Sequence, residues 1–312
     1  MAHDRRFRFG VQLSQPLGNR TWAATAQHVE GLGYSTLFVP DHFGDQLAPF
    51  TALAVAAQAT TTLRVGALVF DNDYRHPVVL AAETATLDLL SGGRVELGLG
   101  AGWMRTDYEQ SGIPYDPPGV RVSRFAEALD VIDGCFADAP FSHQGEHYTI
   151  TGHDGRPKPT TPGGPPLIIG GGGKRVLSIA ARRADIVGIN PNLASGAIDG
   201  DVVADALAAR VDEKVGWVAD AAGSRFADIE LNVLTFLSAV TDDPEGFADN
   251  VAALFGASPA EVLATPSVLL GTIDGICETL EERRERWGFS YYVIQGDNAE
   301  ALAPVVERLQ GT

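Results

Sequence analysis

Four short stretches of the chain carry residue types that can do chemistry. In the first, Pro40-Asp41-His42, an imidazole stands beside a carboxylate. A histidine titrates near neutrality and can give or take a proton while a substrate is reduced; Asp41 could equally cap a helix and His42 sit at the surface. The second, Asp71-Asn72-Asp73 with His76, suits cofactor contact as well as an Asx turn, and His76, before Pro77, reads as a helix-entry residue. The third is Gly100-Ala101-Gly102-Trp103. Its glycines let a ligand approach the backbone, and its ring can stack on a flat ligand or simply pack. The fourth is Gly170-Gly171-Gly172-Gly173-Lys174-Arg175, a longer glycine run than a turn needs. Free N–H groups at a helix start bind anions, and Lys174 and Arg175 add charge. The run lacks the ending of a nucleoside-triphosphate loop and the acidic partner of a dinucleotide fingerprint, which disfavours both ligands.

Each stretch follows a short apolar segment of strand length. Such segments start at residues 7, 35, 63, 95, 167, 185, 229 and 291, and each leads into a helical pattern. Helices are expected over 22–32, 49–60, 78–90, 121–136, 175–183, 201–222, 244–255, 259–264, 273–287 and 299–309. Eight such units predict an α/β fold of the (β/α)8 TIM-barrel type, with an open doubly wound sheet as the fallback. In a barrel the loops after the strands carry the chemistry, and all four stretches fall there. About residues 140–166 the rhythm breaks into Gly, Pro and Thr, an insertion after the fourth unit expected as a hairpin or loop over the rim. No linker divides residues 1–312, so a single domain is expected.

Of the 312 residues 45% are hydrophobic and 20% charged, enough for a large core. A net charge of −17 argues against nucleic acid or an anionic membrane as partner, and an anionic ligand would need a local cationic site such as Gly170–Arg175. Two cysteines, Cys135 and Cys277, offer neither a disulfide framework nor metal-ligand spacing. The first residues run directly into a short strand, with no signal-like or spanning segment. A cytoplasmic protein is expected.

Taken together, the segments FRFGVQL, YSTLFVPDH, LRVGALVFDNDYRHPVVLA, GGRVELGLGAGW and PLIIGGGGKRVLSIAARRADIVGI resemble the bacterial luciferase-like monooxygenase superfamily, within it the coenzyme F420-dependent oxidoreductases. The resemblance implies a barrel with a deazaflavin or flavin across its C-terminal rim and a cis peptide at the end of the third strand, by position Ala67–Leu68. Asp41 would contact the ring, His42 would donate a proton, and Ala101 and Gly102 would lie along the cofactor. Gly172, Gly173, Lys174, Arg175 and Val176 would hold its phosphate; Phe70, Asn72, Trp103 and Thr106 complete the expected contacts. Trp103 stands where the sugar-phosphate dehydrogenases of the family carry a glutamate, and Gln46 where they carry a tryptophan. The expected reaction is therefore hydride transfer between coenzyme F420 and a small organic substrate other than a sugar phosphate. The alternatives are an FMN-dependent two-component monooxygenase and a flavin-binding barrel without turnover. A homodimer formed through the early helices is expected on the same ground, as is a reductase that regenerates the cofactor.

Overall fold

The computed structural model describes residues 5–312. In chain order the strands are β1 Arg8–Gln12, β2 Thr36–Val39, β3 Arg64–Ala67 with its short continuation β4 Phe70–Asp71, and β5 Val95–Gly100. A hairpin follows, β6 Phe141–Gln144 and β7 Thr149–His153. Then come β8 Leu167–Gly171, β9 Ile186–Ile189, β10 Glu230–Leu234, an outer pair β11 Leu237–Val240 and β12 Val268–Gly271, and β13 Phe289–Gln295. All pairings within the main sheet are parallel; β3 pairs with β5 and β1 with β13, so the sheet closes into an eight-stranded barrel without an edge.

The helices are α1 Trp22–Gly31, α2 Pro49–Ala59, α3 Pro77–Ser91, α4 Arg105–Ser111, α5 Pro118–Phe136, α6 Lys174–Arg183, α7 Gly200–Ala204, α8 Ala208–Ala222, α9 Pro244–Phe255, α10 Pro259–Ala264, α11 Ile273–Trp287 and α12 Ala299–Leu309. Proline opens α2, α3 and α5, where its fixed φ fits and its missing N–H costs nothing. Gly92 ends α3 in the left-handed conformation at φ 70°. No helix among the described residues is long and apolar enough to cross a membrane.

Between barrel and helices runs one large apolar core, and Phe38, Ile168, Ile186, Tyr291 and Val293 form a smaller cluster of their own. The strands' N-terminal end is tied by charge. Glu96, 1% exposed, meets Arg8 at 2.8 Å and Arg64 at 3.0 Å, and accepts from the Tyr291 hydroxyl at 2.8 Å. Arg8 also meets Glu230 at 2.7 Å. Charges at this face serve stability, and the chemistry belongs to the other end.

Four expectations need correction. The region over 201–222 is two helices, because the backbone turns extended at Leu207, the N-cap of α8, after α7 has ended at Asp205. The segment after residue 229 leaves the barrel at Leu234, and its second half pairs with β12 over a satellite apolar cluster of α9, α10 and β12 residues. Helix α4, with too few residues to show a period, was not expected. The insertion is a hairpin set against α5 and α3, with Tyr148 reaching the rim loop after β4 at Asn72, 3.3 Å away. Glu127 of α5 accepts from the backbone N–H of His147 at 2.9 Å and of Tyr148 at 2.7 Å, and Asp88 of α3 accepts from Thr161 at 2.9 Å. These bonds lay the segment along the flank of α5 and α3.

Candidate active site

The C-terminal ends of the strands surround a cavity of about 680 Å³. Of the residues singled out in the sequence, Asp41, His42, Leu68, Ala101, Gly102, Trp103, Gly172, Gly173, Lys174, Arg175 and Val176 line it. Ala67, Phe70, Asn72 and Thr106 do not. Ala67 and Phe70 are buried in the core, Phe70 stacked 4.4 Å from Phe50. Asn72 turns its amide to the Tyr148 hydroxyl at 3.3 Å, and Thr106 is exposed on the first turn of α4.

His42 is the best-positioned proton carrier. Its Nδ1 lies 2.6 Å from Asp107 Oδ2. A carboxylate accepts, so Nδ1 carries the hydrogen and Nε2 is the nitrogen left for a ligand. The Tyr74 hydroxyl donates to the same oxygen at 3.1 Å, and the Trp103 ring stands edge-on to the imidazole at 5.7 Å. Asp107, on α4, is buried. The sequence reading missed it: nothing local distinguishes this aspartate, and its partner is 65 residues away.

Asp41 has its oxygens engaged. Arg75 forks onto both, at 2.6 and 3.1 Å, and the Asp71 N–H donates at 2.9 Å. The carboxylate thus pins the loop after β4 to the loop after β2. Asp71 behaves differently. Burial, with the charges of Asp73 and Asp41 nearby, pushes its carboxyl up to about 7, although the Asp73 N–H and the Tyr108 hydroxyl bond to it. The hydroxyls of Tyr74 and Tyr108 are themselves pushed far up, first by burial and then by these carboxylates. Asp73 is neutralised by Arg124 at 2.8 Å.

The cis peptide at the end of the third strand is Leu68–Val69, one residue beyond the expected Ala67–Leu68. Ladder pairing runs through Ala67, and the Leu68 N–H still donates to Val39 at 3.1 Å, so the reversal comes only after the last strand bond. Gln12 donates to the Leu68 carbonyl at 2.7 Å.

The glycine run divides into two parts. A Cβ on Gly170 would lie 2.9 Å from the Asn190 amide, on Gly171 2.6 Å from Val176, and on Gly172 2.3 Å from the Pro191 carbonyl group. At Gly172 the neighbour is backbone that cannot yield; at Gly170 and Gly171 it is a side chain. At Gly173 the nearest atom would be 3.9 Å away, so the space before α6 is open. Gly173 is the N-cap of α6 and no side chain caps the helix, so its first N–H groups are available to an anion. The opposite wall, Asn190 to Ala194, is held from behind by buried Lys214. Its ammonium bonds the Asn190 carbonyl at 2.9 Å and Asp205 at 2.5 Å. An open cradle at an uncapped helix start fits the phosphate of a flavin or deazaflavin.

The chain is 34% identical to 4-hydroxyprotoasukamycin monooxygenase of Streptomyces nodosus subsp. asukaensis, over 53% of this chain and 47% of that protein. It is 27% identical to 5,10-methylenetetrahydromethanopterin reductase of Archaeoglobus fulgidus, over 59% of this chain and 53% of that one. The chain therefore spans about half the length of these two relatives. In fold it matches the coenzyme F420 dependent tetrahydromethanopterin reductase of Methanopyrus kandleri with a TM-score of 0.76 at 18% identity, covering 98% of this chain and 99% of that one. The model of the luciferase-like monooxygenase family matches residues 6–288, and the chain belongs to that family of oxidoreductases.

Proposed function

We propose that this chain is an oxidoreductase that moves a hydride between bound coenzyme F420 and a small organic substrate other than a sugar phosphate. The observation that carries the reading is the His42–Asp107 pair on the wall of a cavity whose other side is an open, N–H-rich helix start. When bound, the deazaflavin supplies or receives the hydride; the protein must supply the proton and the alignment. His42 does the first. With Nδ1–H held by Asp107, the neutral ring accepts a proton at Nε2 when an alcohol or amine is oxidised, and the charged ring donates from Nε2 when a carbonyl or imine is reduced. Asp107 and Tyr74 fix the plane of the ring throughout. Gly173, Lys174, Arg175 and Val176 would hold the phosphate, and Trp103 would border the ring.

The second reading is an FMN-dependent two-component monooxygenase, favoured by the likeness to 4-hydroxyprotoasukamycin monooxygenase. Either cofactor would depend on a separate reductase. Titrating the purified chain with oxidised F420 and, separately, with FMN, followed by fluorescence, decides between them. Micromolar binding of F420 with weak binding of FMN supports the deazaflavin reading; the reverse preference, with substrate-dependent oxygen uptake, replaces it. Retention of a cofactor that no substrate reoxidises would leave a binding barrel without turnover.

A further inference from the structure

Arg121 is a cation buried without a counter-charge. It lies in the first turn of α5, 2% exposed, and lines the same cavity as His42 and the start of α6. Nη1 donates to the Asp116 carbonyl at 2.5 Å, and Nη2 reaches the Gly102 carbonyl at 3.4 Å. The guanidinium stands over the Tyr115 ring at 4.3 Å. Its Nε is buried and has no acceptor.

Among the described residues no carboxylate pairs with it. Asp116 and Asp73 are both taken by Arg124, each at 2.8 Å. An arginine stays charged, and a buried charge with only carbonyls around it lacks the partner that normally offsets its lost hydration. The surroundings share this imbalance. Arg175 donates to the Gly119 carbonyl and to Ser123 Oγ, both at 2.9 Å, and Lys174 sits 5.8 Å over the Trp217 ring. Helices α5 and α6 both start without a side-chain cap, and the first turns of both line the cavity. In a chain of net charge −17, this one wall gathers three cations with no acidic partner among the described residues. Across from it, Asp41 is already neutralised by Arg75.

We propose that Arg121 is the centre of a second oxyanion subsite, between the end of β5 and the junction of α5 with α6. It receives a phosphate or carboxylate oxygen of the bound molecule, in addition to the cradle at α6. Two of its five N–H groups are spent on the Asp116 and Gly102 carbonyls, and the charge they leave unbalanced at the cavity wall suits such a group. This assignment rests on the cavity being the cofactor and substrate site.

Arg121→Gln and Arg121→Lys test it by binding. If the oxyanion is the cofactor's phosphate, Arg121→Gln raises the Kd of FMN or F420 about tenfold or more, as loss of a charge-assisted bond should, and leaves riboflavin and the phosphate-free deazaflavin core unchanged. Arg121→Lys then recovers part of the loss. If the oxyanion is a substrate carboxylate, cofactor affinities hold, and benzoate perturbs the bound cofactor's absorbance in the wild type but not in Arg121→Gln. Two results overturn the proposal: no change in either arm, or equal weakening of charged and uncharged ligands with a fall in Tm, the mark of a structural brace. A wild-type chain that binds neither FMN nor F420 ends the cofactor reading instead. Inorganic phosphate then decides for Arg121: a rise in wild-type Tm that Arg121→Gln lacks supports the subsite, and equal responses remove it.

Discussion

At the scale of single residues the site is a set of carboxylates given different duties by their neighbours. Asp107 orients His42, Asp41 is spent on Arg75, and Asp71 holds a proton near neutrality. His42→Ala should lower turnover by ~10²-fold or more with cofactor affinity nearly unchanged, the usual size of an acid–base contribution. Asp107→Asn should lower kcat by ~10-fold or more while KM and the cofactor Kd hold, because only the ring's orientation and charge balance are lost; equal losses in all three would make Asp107 a brace for α4. Asp71 gives a stability signature. Its carboxyl titrates near 3.8 when free and at about 7 when folded, so the folded state binds the extra proton between these values. Stability is then full below pH ~4 and falls by at most ~1.4 kcal/mol per unit as pH rises toward ~7. Urea unfolding of Asp71→Asn should accordingly show a gain over the wild type at pH 8 that shrinks steadily as pH falls toward 4; a gain independent of pH would refute the shifted carboxyl. The sequence made Asp41 and His42 legible because both follow a strand directly. Asp107 and Arg121 were not, since what distinguishes them is a partner or a missing partner brought from elsewhere in the fold.

At the scale of elements the glycine run before α6 separates fold from binding. Gly172→Ala would press a Cβ against the Pro191 backbone, 2.3 Å away, and should cost ~1–3 kcal/mol, the range for overpacking against atoms that cannot yield. Gly173→Ala meets open space and should cost under about 1 kcal/mol as a poorer cap. The same methyl group would intrude on the anion cradle, so Gly173→Ala should raise the cofactor Kd while its Tm stays close to wild type. Wild-type affinity in Gly173→Ala would show that the start of α6 holds no phosphate. Most elements could be read from the chain because apolar runs and 3.6-residue periods were long and bounded by Gly or Pro. Those missed were short or interrupted. Helix α4 has seven residues, and β12 has four and belongs to a satellite pair rather than the barrel. The break between α7 and α8 falls at the extended Leu207, which no local pattern announces.

At the scale of the whole molecule the barrel's two ends are electrostatically distinct, and its flank exposes four large apolar side chains on α2 and α3. One end is closed by the Arg8–Glu96–Arg64–Glu230 network, the other opens on the cavity with its unpaired cations. The closed barrel was legible from the count of strand segments, because eight βα repeats leave few other ways to bury every apolar face. Whether copies of the chain associate was not, since no periodicity reports it. On α3, Val79 and Leu90 are 50% and 58% exposed, and with Glu83 and Thr86 they fall at helical spacing on one face. Leu89 on α3 and Val55 on the neighbouring α2 are 47% and 44% exposed. Large side chains left in water on two adjacent helices are what a self-complementary two-fold interface would cover. We therefore expect a dimer with α2 and α3 of one copy against those of its partner. Light scattering after gel filtration should give twice the chain mass for the wild type. Val79→Glu with Leu90→Glu should give a single chain mass with an unchanged barrel, because both side chains already face solvent and the substitutions disturb no core contact. A double variant that remains dimeric would place the interface on another face. A monomeric wild type would leave these side chains as ordinary exposed surface.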